Sequence, residues 1–325
     1  MDIQYLLWLQ EFRENTGGAF DVFFEAVSDF VIGSWVFLLI ALIYWCMDKK
    51  AGTMILMNVG IGNLAMQFCK NLFCVYRPWI RDNRIVPVGN SISTATGYSF
   101  PSGHCQIATS EFGSFALWQK KRKWFVALCI IVIIFVAFSR NYLGVHTPQD
   151  VVAGVLLTTG VIWMDQKVLT WIEQGKNRDI TVFSVGMILC ALYLLFITFK
   201  KYPLDYAPDG SILTDPVEMI AEGYSAASCA IGFFVGWIVE RRFINFVPLK
   251  IWWHKLICFL IGGMTLLVIL NYVCEPLYDF LKQIGTSGYY IGKLIYYIIL
   301  FVFVMIVYPA LIKFVSYLIS KKARN

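Results

Sequence analysis

Runs of apolar residues recur along the chain at roughly 30–47, 52–69, 103–118, 124–140, 150–171, 180–199, 223–239, 254–273 and 290–318. Each approaches the length of about 20 residues with which a helix crosses about 30 Å of hydrocarbon. The pattern therefore predicts an all-α polytopic membrane bundle of about nine transmembrane helices. Basic residues fall in every second loop: Lys49 and Lys50, then Lys120, Lys121, Arg122 and Lys123, then Lys176 and Arg178, then Arg241, Arg242 and Lys250. Lys321, Lys322 and Arg324 form a basic tail. The positive-inside bias puts those loops and the carboxyl terminus in the cytoplasm and the amino terminus outside. The loops at 70–102, 140–149, 200–222 and 274–289 are then extracytoplasmic.

Ahead of the first run, Asp21, Glu25 and Asp29 share one helical face, so residues 1–29 read as an amphipathic interfacial segment. Residues 30–174 hold every motif discussed below, and residues 175–325 add further membrane helices to which the sequence assigns no role. Asp205, Asp209, Asp215, Glu218 and Glu222 lack the spacing of a calcium loop and read as a solvated acidic stretch.

Composition narrows the class. Of 325 residues, 58% are hydrophobic and only 15% charged, where a soluble domain carries about 25% charged residues. Disorder, a secreted disulfide scaffold and an ordinary cytosolic enzyme are excluded. The nine cysteines lie singly, several of them in apolar runs (Cys46, Cys129, Cys190, Cys229, Cys258), and read as small hydrophobes packed between helices. Asp2 stands where a signal peptide would carry basic residues, so the first helix is expected to stay in place. The lack of any N-x-S/T sequence points to a bacterial chain.

Ionisable residues at membrane depth are costly, so those gathered at helix ends are the first place to look for chemistry. Three clusters lie on the same expected side. Lys70 and Arg77-Pro78 end the second run; alone, such a pair also fits snorkelling side chains. Tyr98-Ser99-Phe100-Pro101-Ser102-Gly103-His104 opens the third run as a helix start, where unpaired N–H groups favour an anion and Gly103 admits close approach to the backbone. Ser139-Arg140 and His146-Thr147-Pro148-Gln149-Asp150 join the fourth and fifth runs. Thr147, Pro148 and Asp150 suit a capped helix start; Asp150 is also near enough to accept the Nδ1 proton of His146 and leave Nε2 as a nucleophile. The loop position predicts that His146 is at the surface. His254, beside Trp252, Trp253 and Lys255, reads as an interfacial anchor. Lys70, Arg77 and Arg140 supply fixed cations, and Ser102 and Gly103 supply hydroxyl and backbone donors, a set that suits phosphate. No acidic cluster for a metal accompanies them, and no metal or other cofactor is expected.

In order and spacing these residues match K-x6-R-P, P-S-G-H and S-R-x5-H-x3-D, and the chain resembles the type 2 phosphatidic acid phosphatase superfamily, which includes the vanadium haloperoxidases. The likeness covers about residues 50 to 170. It implies that His146 attacks phosphorus to give a phosphohistidine, that Asp150 orients it, and that His104 protonates the leaving oxygen. Lys70, Arg77, Ser102, Gly103 and Arg140 would hold the phosphate. The number of runs is similar to that of glucose-6-phosphatase and sphingosine-1-phosphate phosphatase. The implied function is a metal-independent membrane phosphatase acting on a phosphate monoester or pyrophosphate, with a phosphorylated lipid or another small phosphate ester as substrate, membrane lipids around it, no nucleic-acid partner, and, from the loop charges, its site on the extracytoplasmic face of a bacterial cell membrane. A phosphotransferase using the same phosphohistidine and, in another class, a lipid-phosphate transporter remain open alternatives.

Overall fold

The computed structural model describes residues 2–322; Arg324 and the side chain of Lys322, both in the basic tail, lie outside the described residues. Among the described residues regular structure is helical, apart from an isolated bridge between Tyr206 and Ile212. The helices are α1 (Asp2–Asn15), α2 (Asp21–Phe30), α3 (Ser34–Leu42), α4 (Lys49–Phe73), α5 (Pro78–Arg81), α6 (Gly103–Ala108), α7 (Ser114–Trp118), α8 (Lys123–Tyr142), α9 (Pro148–Glu173), α10 (Arg178–Phe199), α11 (Pro216–Val239), α12 (Trp252–Ile269), α13 (Glu275–Gln283), α14 (Thr286–Val302) and α15 (Tyr308–Lys322). Five-residue π turns extend or interrupt several of them, one at Thr109–Gly113 between α6 and α7.

Six helical stretches among the described residues are long and apolar enough to cross a membrane: α8, α9, α10, α11 with its π turn, α12 through α13, and α14 through α15. The bent pair of α2 and α3 with its π turn raises the number to seven if it makes one crossing. Two of the expected nine runs account for most of the difference. The run at 52–69 lies inside α4, where Asn58 and Gln67 are buried. The run at 103–118 is broken into α6, the π turn and α7, and buries Gln106, Thr109, Ser110 and Glu111. Both helices turn polar groups inward, which lowers their apolar character below that of a lipid-facing span. By contrast α8 exposes Leu128, Ile130, Ile131, Ile134 and Phe135, the arrangement expected where the solvent is hydrocarbon.

The chain divides into two compact units. The first comprises Met1–Gly33, Gly62–Met164 and Phe196–Gly223; the second comprises Ser34–Ile61, Asp165–Leu195 and Tyr224–Asn325. In the first, α8 is the post against which α1, α2, α6 and α7 pack. Val31, Ala108 and Val136 close one core cluster there, and Val88, Ala95, Tyr142, Leu143 and Val145 close another. The segment expected at the interface thus folds as two helices packed on α8. The acidic face of α2 meets protein groups: Asp21 accepts from the Tyr142 hydroxyl at 2.8 Å and Glu25 from the Asn90 N–H at 3.1 Å.

In the second unit small residues let helices approach closely. A Cβ at Gly232 of α11 would stand 2.8 Å from Cβ of Phe301, and Ala226, Ala227 and Ala230 of the same helix are fully buried. Trp45 donates to the Val304 carbonyl at 2.8 Å and packs on Tyr308. Charges at the helix ends are paired, Lys49 with Glu240 at 2.7 Å and Arg242 with Asp179 at 2.5 Å. All nine cysteines are unbridged, and the seven buried ones, Cys46, Cys105, Cys129, Cys190, Cys229, Cys258 and Cys274, lie within helices or π turns.

Candidate active site

Four helix ends in the first unit carry the residues singled out in the sequence. Lys70 lies in the last turn of α4 and Arg77 four residues beyond its end; His104 is the second residue of α6; Arg140 is in the last turn of α8; Asp150 is the third residue of α9. The turn between α8 and α9 is built by Gly144, whose φ of +74° is open to glycine at little cost. It lets the N–H groups of Val145 and His146 fold back on the Arg140 carbonyl, each at 3.2 Å. This places the His146 side chain inward. His146 is 1% exposed, so the surface position read from the loop does not hold: the tight turn buries it.

Arg77 holds His146 from one side. Its Nη1 lies 2.8 Å from His146 Nε2 and donates to the Val145 carbonyl at 3.1 Å, while Nε and Nη2 donate to the carbonyls of Gly97 and Thr96 at 3.0 and 2.6 Å. A guanidinium has no acceptor, so Nε2 offers its lone pair and the proton sits on Nδ1. On that side the ring meets Ser99 Oγ at 3.4 Å and Asp150 Oδ2 at 3.5 Å. Ser99 donates to Asp150 Oδ2 at 2.6 Å, and the Thr147 N–H donates to the same oxygen at 2.8 Å. Capping and orienting are therefore combined in Asp150, as the spacing allowed, but Ser99 meets both the carboxylate and the ring and makes the shorter bond to the carboxylate. Burial, and then the charge of Arg77, hold the His146 imidazole well below its usual 6.5, against the opposing pull of Asp150. Burial brings Arg77 down to about 10, which leaves it protonated at neutral pH.

On the anion-binding side the two expected donors, a hydroxyl and a backbone N–H, are divided between Ser102 and Gly103. The Ser102 N–H is bonded to the Asp150 carbonyl at 3.0 Å, so Ser102 offers its hydroxyl to a ligand and not its backbone. That bond depends on Gly154, one turn into α9, where a Cβ would stand 2.8 Å from the Ser102 carbonyl oxygen. Lys70, Arg77 and Arg140 are 4%, 3% and 0% exposed. His104 Nε2 and Arg140 Nε and Nη2 are buried with no hydrogen-bond partner. Three buried cations with orphaned donors beside them are unfavourable alone and favourable round a multiply charged anion. Among the described residues no group of three His, Cys, Asp or Glu side chains gathers to hold a metal.

Several participants were not singled out. Ser99 stands in the cluster just ahead of P-S-G-H, and its role needed only the third dimension. Asn141 donates to the His146 carbonyl at 2.9 Å and steadies the turn. Glu222, read as part of a solvated stretch, accepts from Gln67 at 3.1 Å and from the Thr96 hydroxyl, beside the loop that holds Arg77. Nothing in the sequence separated it from Asp205, which accepts from the Tyr76 hydroxyl, or from Asp209, which caps its own turn.

The PAP2 superfamily domain matches residues 51–177, and the PAP2 superfamily phosphatase transmembrane extension matches residues 224–321. The chain is 29% identical over 134 residues to an undecaprenyl-diphosphatase of Sulfolobus acidocaldarius, a match spanning 41% of this chain and 63% of that protein. It is 28% identical over 166 residues to a putative undecaprenyl-diphosphatase of Escherichia coli, spanning 43% of this chain and 80% of that protein. Phosphatidylglycerophosphatase B of Escherichia coli is 35% identical over 81 residues, 24% of this chain and 30% of that protein. No solved structure gives a significant match.

Proposed function

We propose, from the premise that this chain belongs to the PAP2 superfamily, that it is an integral membrane phosphatase that releases phosphate from a lipid monoester or pyrophosphate through a phosphohistidine on His146. The observation that carries the reading is the burial of Lys70, Arg77 and Arg140 round one neutral imidazole. In the first step His146 Nε2 forms a bond to phosphorus as the bond to the leaving oxygen breaks. His104 gives that oxygen its proton, and the incoming phosphate dianion favours the protonated form of His104 beforehand. Arg77 transfers its hydrogen bond from Nε2 to a phosphate oxygen, and with Lys70, Arg140 and the Ser102 hydroxyl it stabilises the charge spread over the equatorial oxygens. Gly103 leaves the start of α6 open to the same oxygens. Asp150, with Ser99, balances the positive charge that appears on the ring. Water then attacks the phosphohistidine, His104 takes its proton, and inorganic phosphate leaves with His146 neutral again. The cations fill the role a divalent ion has elsewhere, so the reaction proceeds without metal.

A lipid substrate is supported by the position of the site at helix ends, where a headgroup lies while its tails stay in hydrocarbon, and by the lipid phosphates named for the relatives. The basic loops at the opposite ends of these helices support an extracytoplasmic site in a bacterial membrane and about nine spans in all. Purified protein assayed with phosphatidate, phosphatidylglycerol phosphate, prenyl diphosphates, sphingoid phosphates and glucose 6-phosphate should release inorganic phosphate from a lipid, at an unchanged rate in EDTA and with inhibition by vanadate, whose trigonal-bipyramidal adduct mimics the transition state. Intact cells should process the same lipid added from outside. Strict dependence on a divalent ion, or turnover of glucose 6-phosphate alone, would overturn the reading.

A further inference from the structure

Arg140 is the one phosphate-site cation whose side chain is fully buried, and what holds it comes from outside the residues that carry the family likeness. Its Nη1 donates to Ser28 Oγ of α2, and Ser28 is 1% exposed. Asp21, Phe24, Glu25 and Ser28 fall at i, i+3, i+4 and i+7 and form one stripe of that helix. Every member of the stripe meets the active-site side of the first unit. Asp21 takes the Tyr142 hydroxyl, the Phe24 ring packs 4.4 Å from the Tyr142 ring, Glu25 takes the Asn90 N–H, and Ser28 takes Arg140. Below them Val27 and Val31 seat α2 against Ala108 and Val136.

The chemistry of the guanidinium gives this contact a consequence. Nε and Nη2 form one edge of the planar fork, and that edge presents two parallel N–H groups to two oxygens of a phosphate. In Arg140 those two nitrogens have no partner, while Nη1, off that edge, is tied to Ser28. A planar guanidinium tethered at Nη1 loses freedom in the Cδ–Nε and preceding side-chain torsions, so the two-donor edge is set before the ligand arrives.

We propose that Ser28 is a positioning residue of the phosphate site, and that α2 thereby makes the amino-terminal segment a working part of the active site and not a membrane anchor alone. The inference rests on the phosphatase reading and adds to it a residue that none of the three motifs contains.

Kinetics of Ser28→Ala, Ser28→Thr and Ser28→Val, each alone and in an Arg140→Met background, test it, with the inhibition constant of orthovanadate as a second readout and thermal melting in detergent as the check of folding. Ser28→Ala should lower kcat/KM and weaken vanadate by about tenfold, the effect of one hydrogen bond to a charged group. Ser28→Thr should stay within about threefold of the parent, and Ser28→Val, of the same volume as Thr, should behave like Ala. In Arg140→Met, Ser28→Ala should have no further effect, because both changes remove one interaction. Parent-like activity of Ser28→Ala and Ser28→Val would overturn the proposal, as would losses that multiply with Arg140→Met, or unfolding of both variants while Ser28→Thr folds. If the parent protein neither turns over a phosphate ester nor binds vanadate, the phosphatase reading itself falls and the role of Ser28 with it.

Discussion

The two units bury charge in opposite ways. In the first, Lys70, Arg77 and Arg140 are enclosed with two histidines, and Asp150 is already engaged by Ser99, Thr147 and His146. In the second, the interior is largely glycine, alanine and aromatic packing; Lys49 pairs with Glu240 and Arg242 with Asp179 at helix ends, while among the described residues the Asp165 carboxyl is buried without a hydrogen-bond partner and no buried cations gather around it. A paired charge at a helix end lowers the cost of folding. An enclosed set of cations raises that cost and persists where something negative is to be bound. The contrast accords with the proposal that the first unit carries the chemistry, although both units are built of the same apolar helices.

The largest effect should come from the centre of the first unit. His146→Ala should reduce turnover by at least about a thousandfold, as loss of a nucleophile does, while phosphate-ester release assays and thermal melting show a folded protein. Because His146 is buried, melting is expected to fall slightly; retention of more than about a tenth of the parent rate would remove the nucleophile assignment. A smaller effect concerns pH. The proposed mechanism requires a neutral His146 in the free protein, and burial with Arg77 places its titration below 6.5. The acid limb of kcat/KM that His146 sets should therefore lie below pH 6.5. Arg77→Gln removes a repelling charge, so the limb should move upward, on top of a lower maximum. An unmoved limb would mean that Arg77 does not act on the imidazole. The smallest kinetic effect belongs to the second unit. Lys49→Met leaves Glu240 without its partner and should lower stability by about 2 kcal/mol, read as a drop in melting temperature, with kcat/KM per folded molecule unchanged within about twofold. A matching loss of kcat/KM would break the division between the units.

Legibility followed the same division. The three motifs were readable because each is local: a helix end fixes the neighbours of His146 through Asp150, and the helix-start residues at Thr147 and Pro148 act as read. Span counting was less secure, since α4 and the α6–α7 stretch are apolar by composition but turn Asn58, Gln67, Gln106 and Glu111 inward, and a window average does not record which side a polar group faces. Glu222 and Ser28 gave no signal. Each lies far from the motifs in sequence, 155 positions separating Glu222 from Gln67 and 112 separating Ser28 from Arg140.

By itself, then, the order of residues determined that this chain is a helical membrane protein and which eight residues gather at one set of helix ends, because hydropathy and motif spacing are properties of short stretches. Only the tertiary structure decided that His146 is enclosed, that its Nδ1 side is shared by Ser99 and Asp150, that Ser102 has already used its N–H, and that α2 reaches Arg140. Those are contacts between stretches distant along the chain, and their geometry is set by how helices pack, which no local pattern encodes.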